Sequence, residues 1–310
     1  MKPAPSQKPQ PKPLIPSNRD EDILKAVYKY HFVTAQEITN LLYSKGSHTF
    51  VRERCTRLAG GQDYADRCYL YRFPFPSAKG NRERIYTLGS LGREILENLG
   101  LQVAWHFKPA KLRTYSHSHL LHSLTLSRTI AAFHAFTRIK DNITIESILS
   151  YELAKTAPVV SISSQGKIVK VAVVPDAQLL ITNIRSNQRL LIILEIDHNT
   201  ESQPRLRAHI AARLAYVHSP HFTNVYGNIP FRIVYATYGQ TPSASQARLQ
   251  SMCIWTSELL TALKKQEYAR YFRFTTLNFA TLYEDAQALF EQPVWYRPDN
   301  PITPIPLLTS

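Results

Sequence analysis

The chain has 310 residues, of which 44% are hydrophobic and 19% are charged, and its 37 basic residues outnumber 23 acidic ones to give a formal net charge of +14. This length and composition predict a folded protein with about two domains, each with a substantial core. A positive excess of this size predicts a polyanionic partner, either nucleic acid or an anionic membrane surface.

No stretch approaches the apolar length of a membrane span, and no signal peptide is evident, so we expect neither a membrane-spanning nor a secreted protein. Cys55, Cys68 and Cys253 stand alone, without the paired spacing of a zinc site or a disulfide framework. They therefore predict a reducing compartment. Together these features predict a cytoplasmic protein that binds anions.

Residues 1–18 are rich in proline and lysine and contain almost nothing that could pack in a core. We interpret them as a disordered, weakly basic tail.

Residues 19–105 carry the pattern of a winged helix-turn-helix domain. The predicted elements are helices at 20–30, 35–43 and 47–58, β-rich runs at 69–73 and 84–88, and a short helix at 91–99. Thr34 and Glu37 form a capping-box signature at the start of the second helix. A basic third helix followed by two short strands with a basic loop between them is typical of a winged module that binds DNA.

The third helix and the wing supply the candidate DNA-binding residues. Arginine is suited to guanine edges and phosphates, and a hydroxyl at a helix start is suited to phosphate. The candidates are Thr49, Arg52, Arg54, Arg57, Lys79, Arg82 and Arg84. The alternative is a solvated basic surface, but the helix order and the basic wing favour DNA binding.

A histidine-rich stretch follows, with His106, His117, His119 and His122. On a helix His119 and His122 would share a face, which is one feature of a zinc site. No cysteine or carboxylate lies among them at ligand spacing. We therefore predict an ordinary polar helix start, continued by an apolar helix at 120–136.

Two β-rich runs further along the chain end in carboxylates. In residues 190–197 an apolar run leads into Glu195 and Asp197, which would lie on one face of a buried strand, about 7 Å apart. The run 167–174 ends beside Asp176. If these two strands are adjacent, then Asp176, Glu195 and Asp197 form a candidate divalent-metal site.

Each carboxylate also has a simpler interpretation. Asp176 follows a proline and is compatible with ordinary turn chemistry. Glu195 and Asp197 repel one another at the end of a buried strand, and are tolerable if they are solvated or if a cation or basic side chains neutralise them.

The second half of the chain predicts a mixed α/β domain. After the helix at 120–136 come strands at 143–153, 167–174 and 190–197, a helix starting near Pro204, and a strand at 231–237, followed by another helix and a docked C-terminal tail at 293–298. The order is therefore helix, three strands, helix, strand.

These residues resemble the replication-relaxation family of bacterial and mobile-element proteins, over most of residues 20–308. The resemblance rests on the winged helix, on Pro175-Asp176-Ala177 before a strand, on the Glu-x-Asp-x-x-Thr-Glu signature at 195–201, and on Pro-Val-Trp at 293–295. It implies a role in plasmid replication and in the relaxation state of plasmid DNA. It also implies that residues 106–310 form a mixed-sheet domain similar to the PD-(D/E)xK (restriction-endonuclease-like) nucleases.

In that nuclease pattern Asp176 and Glu195 match the Mg²⁺ ligands, but Asp197 stands where the pattern has a lysine. An anion cannot replace a cation that stabilises developing charge at phosphorus. The resemblance leaves two ways in which the site could still be catalytic. A basic residue of the following helix, Arg205 or Arg207, could supply the cation, or Asp197 could serve as a third metal ligand.

Two functions therefore stay open. The first is a DNA-binding protein of a plasmid or other mobile element that acts in replication initiation, its control, or DNA relaxation. The second is a Mg²⁺-dependent endonuclease or nickase using Asp176, Glu195 and Asp197, with Arg207 as the basic residue. Both predict double-stranded DNA as the partner, together with replication or mobile-element proteins, and no membrane.

Overall fold

The structure, a computed structural model, describes residues 15–44, 46–75, 83–104, 108–164, 167–199, 201–239, 241–277 and 287–308. The chain divides into unit 1, residues 1–127, and unit 2, residues 128–310. The domain boundary predicted at 105/106 lies outside the described residues, as do residues 1–14 of the predicted tail at 1–18, whereas Asn18 at its end is helical. The predicted α+β class is confirmed, because helices accompany a mixed seven-stranded sheet.

Unit 1 alternates short helices with three short strands. Its elements are α1 (Asn18–Tyr30), β1 (Val33–Thr34), α2 (Ala35–Leu42), α3 (His48–Leu58), β2 (Leu70–Pro74), β3 (Arg84–Leu88), α4 (Ser90–Asn98), α5 (Pro109–Leu112) and the first part of α6 (His117–Phe136). The strands form an antiparallel sheet in the order β1-β3-β2. All five helices and both β-runs predicted between 20 and 136 are confirmed, with their ends shifted by a few residues.

Local sequence explains where α2 begins. The backbone N–H of Thr34 donates to Glu37 Oε2 at 2.6 Å, and the Thr34 hydroxyl bonds to the same carboxylate. This satisfies backbone donors that the first turn of a helix leaves without partners. The predicted capping box is therefore confirmed.

A buried ion pair joins α1 to α3. Asp20 on α1 is fully buried, and both Nε and Nη2 of Arg54 donate to its carboxylate. The Ser17 backbone N–H donates to Asp20 Oδ2 at 2.6 Å. Burial raises the pKa of Asp20, but the hydrogen bonds from Arg54 and Ser17 outweigh it and lower the pKa below its ordinary value. The pair fixes the rotation of α3 about its axis.

Unit 2 is built on one long sheet. After α6 its elements are β4 (Ile143–Leu149), α7 (Ser150–Leu153), β5 (Val159–Ser164), β6 (Lys167–Ala172), β7 (Ala177–Asn183), β8 (Gln188–Asp197), α8 (Gln203–Val217), α9 (Pro220–Tyr226), β9 (Phe231–Thr237), α10 (Pro242–Ala262), β10 (Phe272–Thr276), α11 (Ala288–Glu291), β11 (Trp295–Arg297) and β12 (Asn300–Ile305). The strand order is β12-β11-β10-β9-β8-β7-β4. Strands β8, β9 and β10 run parallel, and the other neighbours pair antiparallel.

The predicted pairing of the run 167–174 with the strand at 190–197 is wrong. Strand β6 pairs with β5 in a separate two-stranded sheet, and β7 is the antiparallel neighbour of β8. Residues along β6 are mostly exposed. Its β-branched composition predicted a strand correctly, but its two lysines suit a solvated ribbon better than a central strand. The strand predicted at 143–153 also ends earlier, at Leu149, where α7 begins.

Strand β8 is central and buried. Leu191 and Ile193 belong to the same apolar core as Leu206 of α8 and Leu249 of α10. Because side chains alternate along a strand, Glu195 and Asp197 share the face of Leu191 and Ile193. The predicted buried strand with two carboxylates on one face is confirmed.

The C-terminal segment completes the sheet. Trp295 is buried, and its indole N–H donates to the carbonyl oxygen of Leu289 at 2.6 Å. Strand β11 pairs with β10. The segment 293–298, which the sequence suggested as a docked tail, therefore contributes β11, and β12 follows it at the edge of the sheet.

The Asp20–Arg54 pair makes a prediction about unit 1. The substitution Asp20→Asn removes the charge that compensates Arg54, so we expect the free energy of unfolding to fall by about 3 kcal/mol. The control is Arg93→Ala, which removes the more exposed Arg93–Glu97 pair and is expected to cost about 0.5 kcal/mol or less. Urea denaturation measures both. Equal losses in the two variants would show that the buried pair does not stabilise the unit.

Candidate functional site

The structure brings the three predicted carboxylates to one edge of the sheet, through β7 in place of β6. Ala177 at the start of β7 lies opposite Leu194 near the end of β8, so Asp176 lies beside Glu195 and Asp197. The Ile196 backbone N–H donates to Asp176 Oδ2 at 2.8 Å. We call Asp176, Glu195 and Asp197 the carboxylate cluster.

Glu195 is paired with an arginine from α8. The Nε of Arg213 donates to Glu195 Oε1, and its Nη2 donates to the carbonyl oxygen of Val174 at 3.1 Å. Only 5% of the Arg213 side chain and 12% of the Glu195 side chain are exposed. Burial raises the pKa of Glu195 to about 7, against the opposing effect of the Arg213 charge. The guanidinium thus occupies the space beside this carboxylate.

Asp197 is paired with an arginine from α10. Arg248 binds it with two parallel hydrogen bonds, Nε to Oδ2 and Nη2 to Oδ1, each of 2.9 Å. The same Nη2 donates to the carbonyl oxygen of Glu201 at 2.9 Å, and the guanidinium lies 5.2 Å from the Trp255 ring centroid. Such a two-pronged pair is among the strongest side-chain contacts in proteins.

Two uncharged polar side chains are buried near the cluster. Tyr235 on β9 lies opposite Glu195, and its hydroxyl has no hydrogen-bond partner among the described residues. Burial raises the pKa of Tyr235 well above its ordinary value. Gln178 on β7 donates to the Tyr216 hydroxyl at 3.2 Å and accepts from Tyr226. Both side chains are buried, so Glu195 lies among groups that are shielded from bulk solvent.

Three ionisable side chains lie together on α8 and just before it. His209 Nδ1 lies 3.3 Å from Glu201 Oε1, and Arg205 Nε lies 3.4 Å from the same oxygen. The hydrogen bond with His209 lowers the pKa of Glu201. Arg207, predicted as the basic catalytic residue, pairs instead with Glu258 of α10.

The donor set does not fit a Mg²⁺ ion. Among the residues that the structure describes, no group of three or more His, Cys, Asp and Glu is arranged to hold a metal. A hard cation needs ionised oxygens that are open to it, and guanidinium groups already bind Glu195 and Asp197. Of the alternatives that the sequence left open, neutralisation by basic side chains is the one observed.

Sequence reasoning missed Arg213 and Arg248, although a signal was present. Leu206, Ile210 and Leu214 mark the buried stripe of α8, and Arg213 falls within it, seven residues after Leu206 and three after Ile210. Arg248 falls in the buried stripe of α10 in the same way. A charge on an apolar stripe predicts a buried partner, and the two carboxylates of β8 are those partners.

Unit 1 contains a separate groove, formed by α2, α3 and β3. It has a volume of about 1040 Å³ and is lined by Thr34, Ala35, Gln36, His48, Arg52, Glu53, Thr56, Arg57, Glu83, Arg84 and Tyr86. Three of the predicted DNA-binding arginines, Arg52, Arg57 and Arg84, therefore line one surface.

The other predicted DNA-binding residues fall elsewhere. Thr49 is exposed near the start of α3. Arg54 is bound to Asp20, with 18% of its side chain exposed. Of the three groove arginines, Arg84 also lies 3.1 Å from Asp63, and its side chain is 37% exposed. Lys79 and Arg82 lie outside the described residues.

The raised pKa of Glu195 predicts a pH dependence of stability. Its folded-state pKa of about 7 exceeds the ordinary value of 4.5. Its contribution to the free energy of unfolding is therefore fully present below pH 4.5 and is lost as the pH rises through about 7. We expect the free energy of unfolding to fall by up to about 1.4 kcal/mol per pH unit from this group.

Urea denaturation at several pH values between about 5 and 8 tests this range. Glu195→Gln cannot ionise and is expected to have a shallower slope than the wild type. The control is Glu146→Gln, which makes the same substitution at an exposed position of β4. A wild-type slope in Glu195→Gln would show that Glu195 titrates as it does in the unfolded chain.

The chain was compared with known proteins. A family model described as replication-relaxation matches residues 24–231, which extends from α1 to the start of β9. No curated protein and no solved structure matches the chain. In the described part of the chain, no helix is both long and apolar enough to cross a membrane. The family match covers about two thirds of the sequence and includes Asp176, Glu195, Asp197 and Arg213, and the chain therefore belongs to the replication-relaxation family.

Proposed function

We propose that the protein binds double-stranded DNA through unit 1, which we assign as a winged helix. Two features support the assignment, the order α1, β1, α2, α3, β2, β3 and the sheet order β1-β3-β2. In such modules the last helix of the three enters the major groove, and the hairpin contacts the flanking backbone. Here that helix is α3 and the hairpin is β2–β3.

The observation that carries this proposal is the arginine-lined groove. Arg52 and Arg57 are exposed on α3, and Arg84 joins them from β3. Residues 1–127 hold 19 basic and 10 acidic side chains, and therefore most of the excess positive charge. Glu53 and Glu83 also line the groove. We infer that these acids favour particular base edges over uniform phosphate binding, because glutamate accepts from cytosine.

Arg54 is not part of the proposed contact set. Its guanidinium is bound to buried Asp20, and a bond of this kind is costly to break. Its role is to hold α3 against α1 with Arg52 and Arg57 outward. Thr49, near the start of the same helix, is placed for a phosphate contact.

For unit 2 we propose a PD-(D/E)xK-like fold without a catalytic metal. The order α6, β4, β7, β8, α8, β9 is helix, three strands, helix, strand, with the β5–β6 ribbon inserted between the first two strands. Asp176 and Glu195 stand where the nuclease pattern has its metal ligands. With Arg213 and Arg248 bound to the cluster, the fold supports DNA binding and not DNA cleavage.

The family adds the biological setting. Its description links this chain to replication and relaxation, and we propose that the DNA it binds belongs to a plasmid or other mobile element. Replication or mobile-element proteins are the partners proposed for such a complex.

Substituting the groove arginines tests the DNA-binding proposal. Arg52→Ala and Arg57→Ala are each expected to weaken duplex binding by about 1–3 kcal/mol for a base contact. A phosphate contact would weaken binding to all sequences alike and reduce the salt dependence. Fluorescence anisotropy with random-sequence and genomic duplex fragments measures both effects. Arg93→Ala, on the surface of α4, is the control, and unchanged affinity in both groove variants would reject the proposal.

Adding Mg²⁺ tests the proposal for unit 2. We expect the melting temperature of the wild type to be indifferent to Mg²⁺, and supercoiled plasmid to remain uncut. Replacing both arginines, Arg213→Met with Arg248→Met, leaves the Glu195 and Asp197 carboxylates without their cations, so Mg²⁺ is expected to stabilise this double variant by mass action. Arg207→Met, which removes a partner of the half-exposed Glu258, is the control. Stabilisation and cleavage in the wild type would establish the nuclease alternative instead.

A further inference from the structure

The chain between α4 and the end of α6 is unusually basic. From residue 98 to residue 140 it contains no aspartate or glutamate, but six lysines and arginines and five histidines. Within unit 1 the described basic residues of this stretch are Lys108, Lys111 and Arg113, and all three are exposed. None of them lines the groove of the proposed duplex site. This charge therefore has no role in the function proposed above.

Aromatic rings lie beside these charges. The rings of Tyr115 and His119 stack with centroids 4.5 Å apart and planes 21° apart, and the ring of His117 lies 5.0 Å from that of Phe75. Tyr115 and Phe75 are partly buried against an apolar core, whereas His117 and His119 are exposed. We call Phe75, Tyr115, His117 and His119 the aromatic platform.

The core beneath the platform holds its rings in place. Phe32 is buried and meets Tyr115 edge to face at 6.1 Å, and Phe32 meets buried Phe73 in the same way, also at 6.1 Å. Side chains held by a core lose little conformational entropy when a ligand stacks on them. The platform is therefore preorganised.

A second ring with a cation extends the same region. The Arg113 guanidinium lies 4.5 Å from the ring centroid of Tyr64, and Tyr64 stacks on Phe73 at 6.2 Å. Burial and the neighbouring His122 lower the pKa of His119. At neutral pH its ring is an uncharged aromatic surface, and the positive charge comes from Arg113 and the lysines.

We propose that the aromatic platform binds single-stranded DNA, with unpaired bases stacked on His119 and His117 and the phosphates beside Arg113, Lys108 and Lys111. Stacking faces combined with a basic border are what single-strand-binding surfaces share. A duplex offers no free base faces to exposed rings, because its bases are stacked on one another. Unit 1 would then hold duplex DNA in its groove and a separated strand on its platform. The two sites share no residue, so each can fail alone.

The test uses the full-length protein and a fluorescent oligothymidine of about 12 nucleotides, a length that matches common single-strand sites. Thymidine has no partner strand, so duplex formation does not contribute. We expect His119→Ala and Arg113→Ala each to weaken its binding by about tenfold, and to leave duplex affinity and melting temperature unchanged. His119→Phe keeps a ring and is expected to retain wild-type affinity.

The chain offers matched controls in unit 2. His218 packs against Tyr268 at 4.6 Å, and Arg270 lies 4.8 Å from the Tyr271 ring centroid. Both are exposed, so His218→Ala and Arg270→Ala reproduce the chemical changes outside the platform. Neither is expected to affect oligothymidine binding.

Three results would overturn the inference. The first is that the wild type does not bind oligothymidine. The second is that the platform variants bind it as well as the controls do. The third is that the platform variants lose duplex binding to the same extent. The last result would make the platform part of the duplex site. If Arg52→Ala loses duplex binding and keeps oligothymidine binding, the result supports two separate sites. If the wild type binds duplex DNA but not oligothymidine, the platform proposal fails and the groove proposal stands.

Discussion

The end of β8 imposes the main electrostatic constraint on unit 2. Its two carboxylates follow a run of four fully buried aliphatic side chains, and an uncompensated charge in such a place costs several kcal/mol or more. Arg213 from α8 and Arg248 from α10 compensate these two charges. Each ion pair therefore joins one of the helices α8 and α10 to the central strand β8. The apolar core supplies most of the stabilising free energy, and the two ion pairs fix how far along the strand each helix lies.

Unit 1 also contains an ion pair between two elements, and there the pair orients helix α3. Asp20 and Arg54 join α1 to α3 in a buried pair, while Val51, Cys55 and Leu58 face the core. Residues 52 and 57 are five positions apart, so on a helix they lie about 140° apart around the axis. Both remain on the side that the buried stripe leaves free. The pairing of Arg54 with buried Asp20 thus determines where the exposed arginines of the same helix point.

The sequence was informative where local rules decide the outcome. The Thr34–Glu37 capping box, the helices of unit 1 and the apolar run of β8 follow from neighbouring residues, and all were predictable. The pairing of β6 was not, because strand partners depend on contacts distant in sequence and both candidate strands were β-rich. The arginine partners were missed for a related reason. Periodicity marked the stripes of α8 and α10, but only the folded chain shows that Arg213 and Arg248 reach carboxylates rather than solvent.

The arginine pairs at the end of β8 are the physical reason for proposing a fold without a catalytic metal. A nuclease of this pattern needs carboxylates that exchange protein contacts for a hydrated cation during turnover. A guanidinium held by two parallel hydrogen bonds, as Arg248 is by Asp197, neutralises the same charge permanently and without ligand exchange. Asp197 stands in the position where the nuclease pattern has a lysine. In this chain the position therefore supplies an anion that binds helix α10.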